Sequence, residues 1–211
     1  EKIIDAGVTP AEYESLLLEV NARVADDGSP SRLSELMELL DILLFVRCPS
    51  PDARAALAAT ILSKARGLSA PELSLLRGLV VECGLPFPES LEAELATLQD
   101  ESGQSEASPL AHLHGKYVAL YSLDPGALAR VSDVLRESEH SIQVKTFSET
   151  GGTQPLRDAA RHADVFVVAV KAATHAATQA IEDNRPDDRA PPIYPSGKGS
   201  SSMLRALLEI A

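Results

Sequence analysis

The 211-residue chain is long enough for one large or two small domains, and 45% hydrophobic and 24% charged residues are typical of a globular protein. The net charge of −12 is uneven, since residues 1–100 carry 8 basic and 17 acidic side chains and residues 101–211 carry 11 and 14. The acidic first half argues against direct binding of duplex DNA, and an aromatic content of 4% without Trp argues against base stacking. No apolar run approaches the roughly 20 residues that a membrane span needs.

The first half is predicted to be an all-α helical bundle over residues 1–99. Hydroxyl–proline pairs are typical of helix starts, because the hydroxyl accepts a backbone N–H and proline fits the first turn. Glu12 and Glu72 complete capping boxes. The pattern also permits a short array of helical repeats. The predicted starts are Thr9-Pro10, Ser29-Pro30, Ser50-Pro51 and Ser69-Ala70-Pro71, with a last helix over Glu89–Leu98.

The second half alternates between strand and helix patterns, after a polar stretch at residues 100–112 that predicts a flexible linker. This alternation predicts a small Rossmann-like domain with a parallel sheet over residues 113–211, so the fold class of the whole chain is α/β. The predicted strands are Tyr117–Tyr121, Ile142–Phe147, Val165–Val170 and Pro192–Tyr194. The predicted helices are Pro125–Arg136, Thr153–His162, Thr174–Asp183 and Ser201–Ile210.

The loops that follow these strands are predicted to form a ligand site. Ligands of open parallel sheets bind beyond the carboxyl ends of the strands, where glycines allow close approach and helix N-termini attract anions. We therefore expect a small anionic ligand such as a nucleotide, with no cofactor identified and no metal site. The predicted ligand-binding residues are Ser122, Gly151, Gly152, Lys171, Thr174, His175, Ser196, Lys198, Gly199, Ser200 and Ser201.

Each part of this site has a second interpretation. The turn from Ser196 to Ser201 is not a P-loop, because Gly199 separates Lys198 from the first hydroxyl, and its serines are equally compatible with simple helix capping. His175 suits a ligand contact, a structural cap or a general acid–base, but no nucleophile or paired carboxylate stands at a fixed spacing from it. No catalytic residue is therefore predicted.

The two cysteines, Cys48 and Cys83, lie in helical apolar patterns. We expect small buried thiols in a reducing cytoplasm, and a disulfide or redox pair is the alternative. The chain opens on Glu1 without a signal-peptide pattern, so it is expected to be trimmed or a fragment.

Four features of residues 115–211 resemble the bacterial family called domain of unknown function 2325. They are Gly151-Gly152 after the second strand, Ala163-Asp164 before the third, Thr174-His175 at the next helix, and the turn from Ser196 to Ser201. The chain departs from that family at Ser122-Leu123-Asp124, where glycines are usual, and in the charged insertion from Asp183 to Ala190. The resemblance implies a Rossmann-like fold, a bacterial cytosolic setting with a link to stress or phage defence, and no established reaction.

Three functional hypotheses follow. The first is a non-enzymatic sensor or adaptor that binds a small anion, docks a protein partner through its acidic helical half and self-associates. The second is an assembly protein, because the start of the first strand, HGKYVAL, resembles phosphopeptide-binding domains of the BRCT type, in which Ser122 and a lysine would hold the phosphate. The Trp usual in their last helix is missing. The third is a hydrolase or transferase that uses His175.

Overall fold

The computed structural model describes residues 9–26, 30–45, 50–103, 108–138, 140–169 and 175–210. These residues form nine α-helices, one 3-10 helix and a three-stranded parallel sheet, a helix-rich fold of the mixed α/β class that was predicted. Contacts divide the chain into two compact units, Glu1–Ala96 and Thr97–Ala211. In the described residues, every helix falls short of the length or the apolar content that a bilayer crossing requires.

The first unit is helical, as its capping pattern predicted. The Glu12 carboxylate accepts from the Thr9 N–H at 3.0 Å, and the Glu72 carboxylate accepts from the Ser69 N–H at 2.9 Å, so both capping boxes form. A core of leucines fills the unit, and Cys83 is buried, whereas Cys48 lies outside the described residues. The helices are α1 (Pro10–Asp26), α2 (Pro30–Phe45), α3 (Pro51–Lys64), α4 (Ala70–Glu82) and α5 (Glu89–Gly103), of which α5 continues past the boundary at Ala96 into the second unit.

The stretch predicted as a linker is partly helical. Helix α5 continues beyond Leu98 to Gly103, and a 3-10 helix covers Ala111–Leu113. The linker was predicted from the polar composition of this stretch, but polar residues such as Gln99 and Glu101 also have good helix propensity. Residues 104–107 lie outside the described residues.

The second unit is built around a sheet with strand order β2-β1-β3, in which all strands are parallel. Tyr117 of β1 pairs with Gln143 of β2, and Val118 of β1 pairs with Val165 of β3. The strands are β1 (Tyr117–Ser122), β2 (Gln143–Phe147) and β3 (Val165–Ala169). The helices are α6 (Pro125–Glu137), α7 (Gln154–His162), α8 (His175–Asn184) and α9 (Ser200–Leu208).

Central strand β1 is buried on both faces, so the sheet separates two cores. Val118 and Leu120 point to one face and pack with α6 and α9, whereas Ala119 and Tyr121 point to the other face and pack with α7 and α8. Each face of the sheet is thus covered by two helices, which explains why β1 and β3 are continuously apolar.

Strand β2 forms one edge of the sheet and is more exposed than its neighbours. Gln143, Lys145 and Thr146 are exposed, and Phe147 is buried at its end. The Lys145 ammonium lies 5.4 Å from the centre of the Phe147 ring. The two apolar side chains of β2 point to opposite faces, since Val144 packs against the core beside α6 and α9 and Phe147 lies in the core beside α7 and α8.

The fourth predicted strand, Pro192–Tyr194, is reduced to a single bridge between Ile193 and Val167. Ile193 donates its N–H to the Phe166 carbonyl at 2.8 Å and accepts from the Val168 N–H at 2.8 Å. The ladder cannot extend past this bridge, because Pro195, the next residue whose N–H would point toward β3, has no N–H to donate.

The charged insertion after α8 holds the end of α7. One Arg185 nitrogen donates to the carbonyls of Ala160 (3.0 Å) and Ala163 (2.7 Å), and another donates to the carbonyl of Asp164 (3.2 Å). Its Nε donates to the Ala190 carbonyl at 2.8 Å. Arg185 therefore satisfies carbonyls that the end of a helix leaves without partners.

Asp164 joins the start of β1 to this insertion. Its carboxylate accepts from the Tyr117 N–H at 2.9 Å and from Arg189 at 2.7 Å. The backbone N–H of Tyr117, followed by Arg189, lowers the pKa of Asp164 below its ordinary value. A lowered pKa means that the carboxylate stabilises the fold above the ordinary aspartate pKa, and that this stabilisation is lost as the pH falls through the folded-state pKa.

We expect Asp164→Asn to lower the free energy of unfolding at neutral pH by at most roughly 1 kcal/mol, because the side chain is 41% exposed and the ion pair is screened. Urea unfolding at several pH values measures this difference, which should close in acid as the native carboxylate becomes protonated. Asp133→Asn, on the surface of α6, is the matched control. A difference that stays constant from neutral to acidic pH would contradict the role given to the charge.

Candidate functional site at the carboxyl edge of the sheet

The turn after β1 is ordered by its own side chains. Ser122 is 1% exposed, and its Oγ accepts from the Asp124 N–H at 3.1 Å. The Asp124 carboxylate accepts from the Ala127 N–H at 3.0 Å and caps α6. In the structure Ser122 and Asp124 thus form the turn that starts α6.

A buried arginine connects this turn to the last helix. Arg130 of α6 is 5% exposed, and its Nε donates to the Ser200 Oγ at 3.2 Å. A Cβ atom at Gly126 would lie 3.2 Å from the Arg130 guanidinium and 3.3 Å from the Asp124 carboxylate, so both charged groups lie against this glycine. A guanidinium is costly to bury unless it is hydrogen-bonded and balanced by negative charge.

The first turn of α9 is buried together with its serines. Ser200, Ser201 and Ser202 are 0%, 4% and 4% exposed, and Gly199 is the N-cap. Because Gly199 has no side chain, this helix start lacks the side-chain cap that Asp124 gives to α6. The positive end of the α9 dipole therefore lies beside a buried arginine.

The loop after β2 is held by contacts of a different kind. The buried Tyr121 hydroxyl donates to the Glu149 carbonyl at 2.9 Å, and the Thr153 Oγ1 caps α7 by accepting from the Leu156 N–H at 3.4 Å. A Cβ atom at Gly152 would lie only 2.5 Å from the Ala180 Cβ of α8, whereas a Cβ at Gly151 would meet nothing within 4 Å. Gly152 thus permits close packing of this loop on α8.

The structure brings only part of the predicted site together. Arg130 joins Ser200 to the β1 side of the sheet, and Ser201 and Gly199 are buried beside Ser200. Lys198 is half-buried in the preceding loop. Ser196 instead lines a separate pocket on the outer side of α9.

Three predicted residues cannot be placed with the others. Lys171 and Thr174 lie outside the described residues, and His175 is the first residue of α8.

Among the residues that the structure describes, no group of three His, Cys, Asp or Glu side chains is arranged to hold a metal ion.

Sequence reasoning missed Arg130 and Asp124. The signal for Arg130 was present, because it stands between Ala127 and Val134 at the helical spacing of the buried stripe of α6. A charged residue on an apolar stripe indicates a buried polar contact, but its partner Ser200 is 70 residues away and follows no local pattern.

The two glycines after β2 provide a matched test of packing against ligand binding. We expect Gly152→Ala to lower the free energy of unfolding by about 1–3 kcal/mol, the usual cost of overpacking, and Gly151→Ala to change it by less than about 0.5 kcal/mol. Urea unfolding of both variants measures the difference. Equal stabilities would show that α8 moves away at little cost and that Gly152 has no special packing role.

No curated protein and no solved structure gives a significant match to the chain. The family model that does match is described as DpdD-like, covers residues 1–206, and is consistent with a bacterial protein associated with DNA modification and defence. The resemblance to domain of unknown function 2325 was therefore wrong. Its supporting residues are a glycine pair, an apolar strand and a small-residue turn, which many small parallel α/β domains need for packing. The match extends over both units, and the chain belongs to the DpdD-like family.

Proposed function

We propose that this chain is a non-enzymatic sensor or adaptor module of a bacterial defence system. In this proposal a Rossmann-like α/β unit binds a small anionic ligand, such as a nucleotide, at the carboxyl edge of its sheet. Helices on both faces of the parallel sheet support the Rossmann-like assignment. The observation that carries the proposal is the buried Arg130, which reaches the N-terminus of α9 through Ser200.

Three sources of positive potential converge at this edge of the sheet. They are the Arg130 guanidinium, the half-buried Lys198 and the N-terminal end of α9, whose cap is a glycine. Asp124 supplies one negative charge, but its carboxylate is engaged with the first turn of α6. An anion at this edge gains from the low dielectric around the buried groups and from the positive end of the α9 dipole.

The hydrogen bond between Arg130 and Ser200 favours binding over catalysis. A serine nucleophile needs a base to take its proton, and a guanidinium has no acceptor to offer. The Ser200 Oγ accepts from Arg130, so this contact orients the hydroxyl without activating it. For this reason we rank the hydrolase or transferase hypothesis below the sensor.

The acidic helical unit is proposed to dock a protein partner and to contribute to self-association. Glu12, Glu14 and Glu19 are exposed on α1, and Leu18 of the same helix is 55% exposed. An apolar side chain among carboxylates suits a partner with a basic rim around an apolar contact. Dependence of partner capture on ionic strength would separate this charged surface from a purely apolar one.

A thermal-shift experiment on the whole chain tests the anion proposal. A nucleotide present at about 100 times its Kd should stabilise the folded state by about 2.7 kcal/mol and raise the melting temperature. We expect this increase to be lost in Lys198→Ala and retained in Lys145→Ala, a matched control on the exposed strand β2.

The outcomes of this experiment are distinct. An increase that survives Lys198→Ala would place the ligand elsewhere and contradict the site. No increase with nucleotides, dinucleotides or inorganic phosphate would overturn the anion proposal and leave the serines as helix caps. A phosphoserine peptide that binds while nucleotides do not would favour the BRCT-like alternative.

A further inference from the structure

A pocket of about 480 Å³ lies on the outer side of α9, next to the loop that precedes this helix. Its walls are mainly apolar, with Ile193 and Pro195 from the loop and Ile210 from beyond the end of α9. Its polar lining includes Ser196, Arg205 and Glu209. The volume falls in the range of small-molecule sites, which are typically apolar with a few polar groups that fix the orientation of the ligand.

Arg205 lines this pocket and carries a donor without a partner. Its Nε is buried and has no hydrogen-bond partner among the residues that the structure describes. A buried N–H without an acceptor costs about 1–3 kcal/mol, and more when the group is charged. Because Arg205 lines the pocket, it is the basic residue that a ligand there would meet, and a carboxylate is the acceptor that matches a guanidinium best.

The remaining groups in the lining restrict the charge of the ligand. Glu209 stands one helical turn after Arg205 and lines the same pocket, so a multiply charged group such as a polyphosphate would be repelled. A single carboxylate can accept from Arg205 while its apolar part packs on Ile193, Pro195 and Ile210. The pocket thus favours a ligand that carries one negative charge next to an apolar chain.

We propose that this pocket binds a monocarboxylate with a short apolar chain, held by Arg205 and packed on Ile193 and Ile210. The inference goes beyond the proposed anion site, which uses Arg130, Lys198 and Ser200. Neither result depends on the other, because the two ligands differ in charge and the two sites use different arginines. A free acid and the carboxyl terminus of a peptide offer the same chemistry.

Methyl-resolved NMR of the whole chain with labelled isoleucine tests the proposal. Hexanoate is the free-acid probe, acetyl-Gly-Gly-Leu is the peptide probe, and hexanamide is the neutral isostere. We expect shifts of the Ile193 and Ile210 methyl signals, assigned through Ile193→Val and Ile210→Val. The buried Ile181 should not shift, because it lies in the core on the opposite face of the sheet from the one against which Ile193 and Ile210 pack.

Arg205→Gln should weaken hexanoate binding about tenfold, a factor that corresponds to ~1.4 kcal/mol. Arg136→Gln is the matched control, because its side chain is 63% exposed on α6 and outside the pocket. Arg205→Lys retains the charge but loses the planar guanidinium that can donate two hydrogen bonds to a carboxylate, so it should recover only part of the affinity. Tighter binding of hexanoate would indicate a free acid as the ligand, and tighter binding of acetyl-Gly-Gly-Leu would indicate the carboxyl terminus of a peptide.

Three results would overturn the assignment. They are no shift with either carboxylate at millimolar concentration, equal binding of hexanoate and hexanamide, and unchanged hexanoate affinity in Arg205→Gln. Loss of the nucleotide-dependent thermal shift in Lys198→Ala has no bearing on these measurements. A failure here therefore leaves the proposed function intact, and the converse also holds.

Discussion

The architecture of the α/β unit depends on the burial of β1 on both faces of the sheet. A strand with hydrogen-bonded neighbours on both sides and apolar side chains on both faces needs a helix layer above and below it. Val118 and Leu120 require the layer of α6 and α9, and Ala119 and Tyr121 require the layer of α7 and α8. These layers place the start of α9 next to α6, and the contact between Arg130 and Ser200 follows from that placement.

The same constraint explains why the carboxyl edge concentrates polar groups. Where β1 ends at Ser122, the chain must turn to enter α6, and buried backbone groups in a turn need partners. Ser122 and Asp124 supply those partners on one side, and Arg130 satisfies a serine on the other. Polar residues at this edge stabilise the fold, and the anion site that we propose would use the same arginine and the same helix start.

Much of the fold could be predicted because its signals are local. The Thr9–Glu12 and Ser69–Glu72 pairs lie within one helical turn, and the apolar run of β3 indicates a strand covered on both faces. The bounds of α5 were wrong because polar residues with good helix propensity resemble a linker in composition. The short strand at Ile193 was overestimated because Pro195 has no N–H with which to continue the ladder, so only one bridge forms.

The candidate site was less predictable because its contacts join distant parts of the chain. The partner of Arg130 is 70 residues away, and the closeness of Gly152 to Ala180 depends on how α8 packs. Both contacts form only when the strands have taken their order in the sheet and the helices have packed on it. The glycine pair was interpreted as a ligand loop, although one of its members has a clear packing role and the other faces open space.

Among the residues that the structure describes, strand β2 pairs with β1 alone, so one row of its backbone N–H and carbonyl groups has no partner strand there. Such an edge can template the addition of strands from other molecules and so start aggregation. The exposed Lys145 near the middle of β2 opposes this, because adding further copies of the strand would bring like charges close together. Lys145, whose ammonium lies over the Phe147 ring, therefore also opposes the addition of strands from other molecules to this edge.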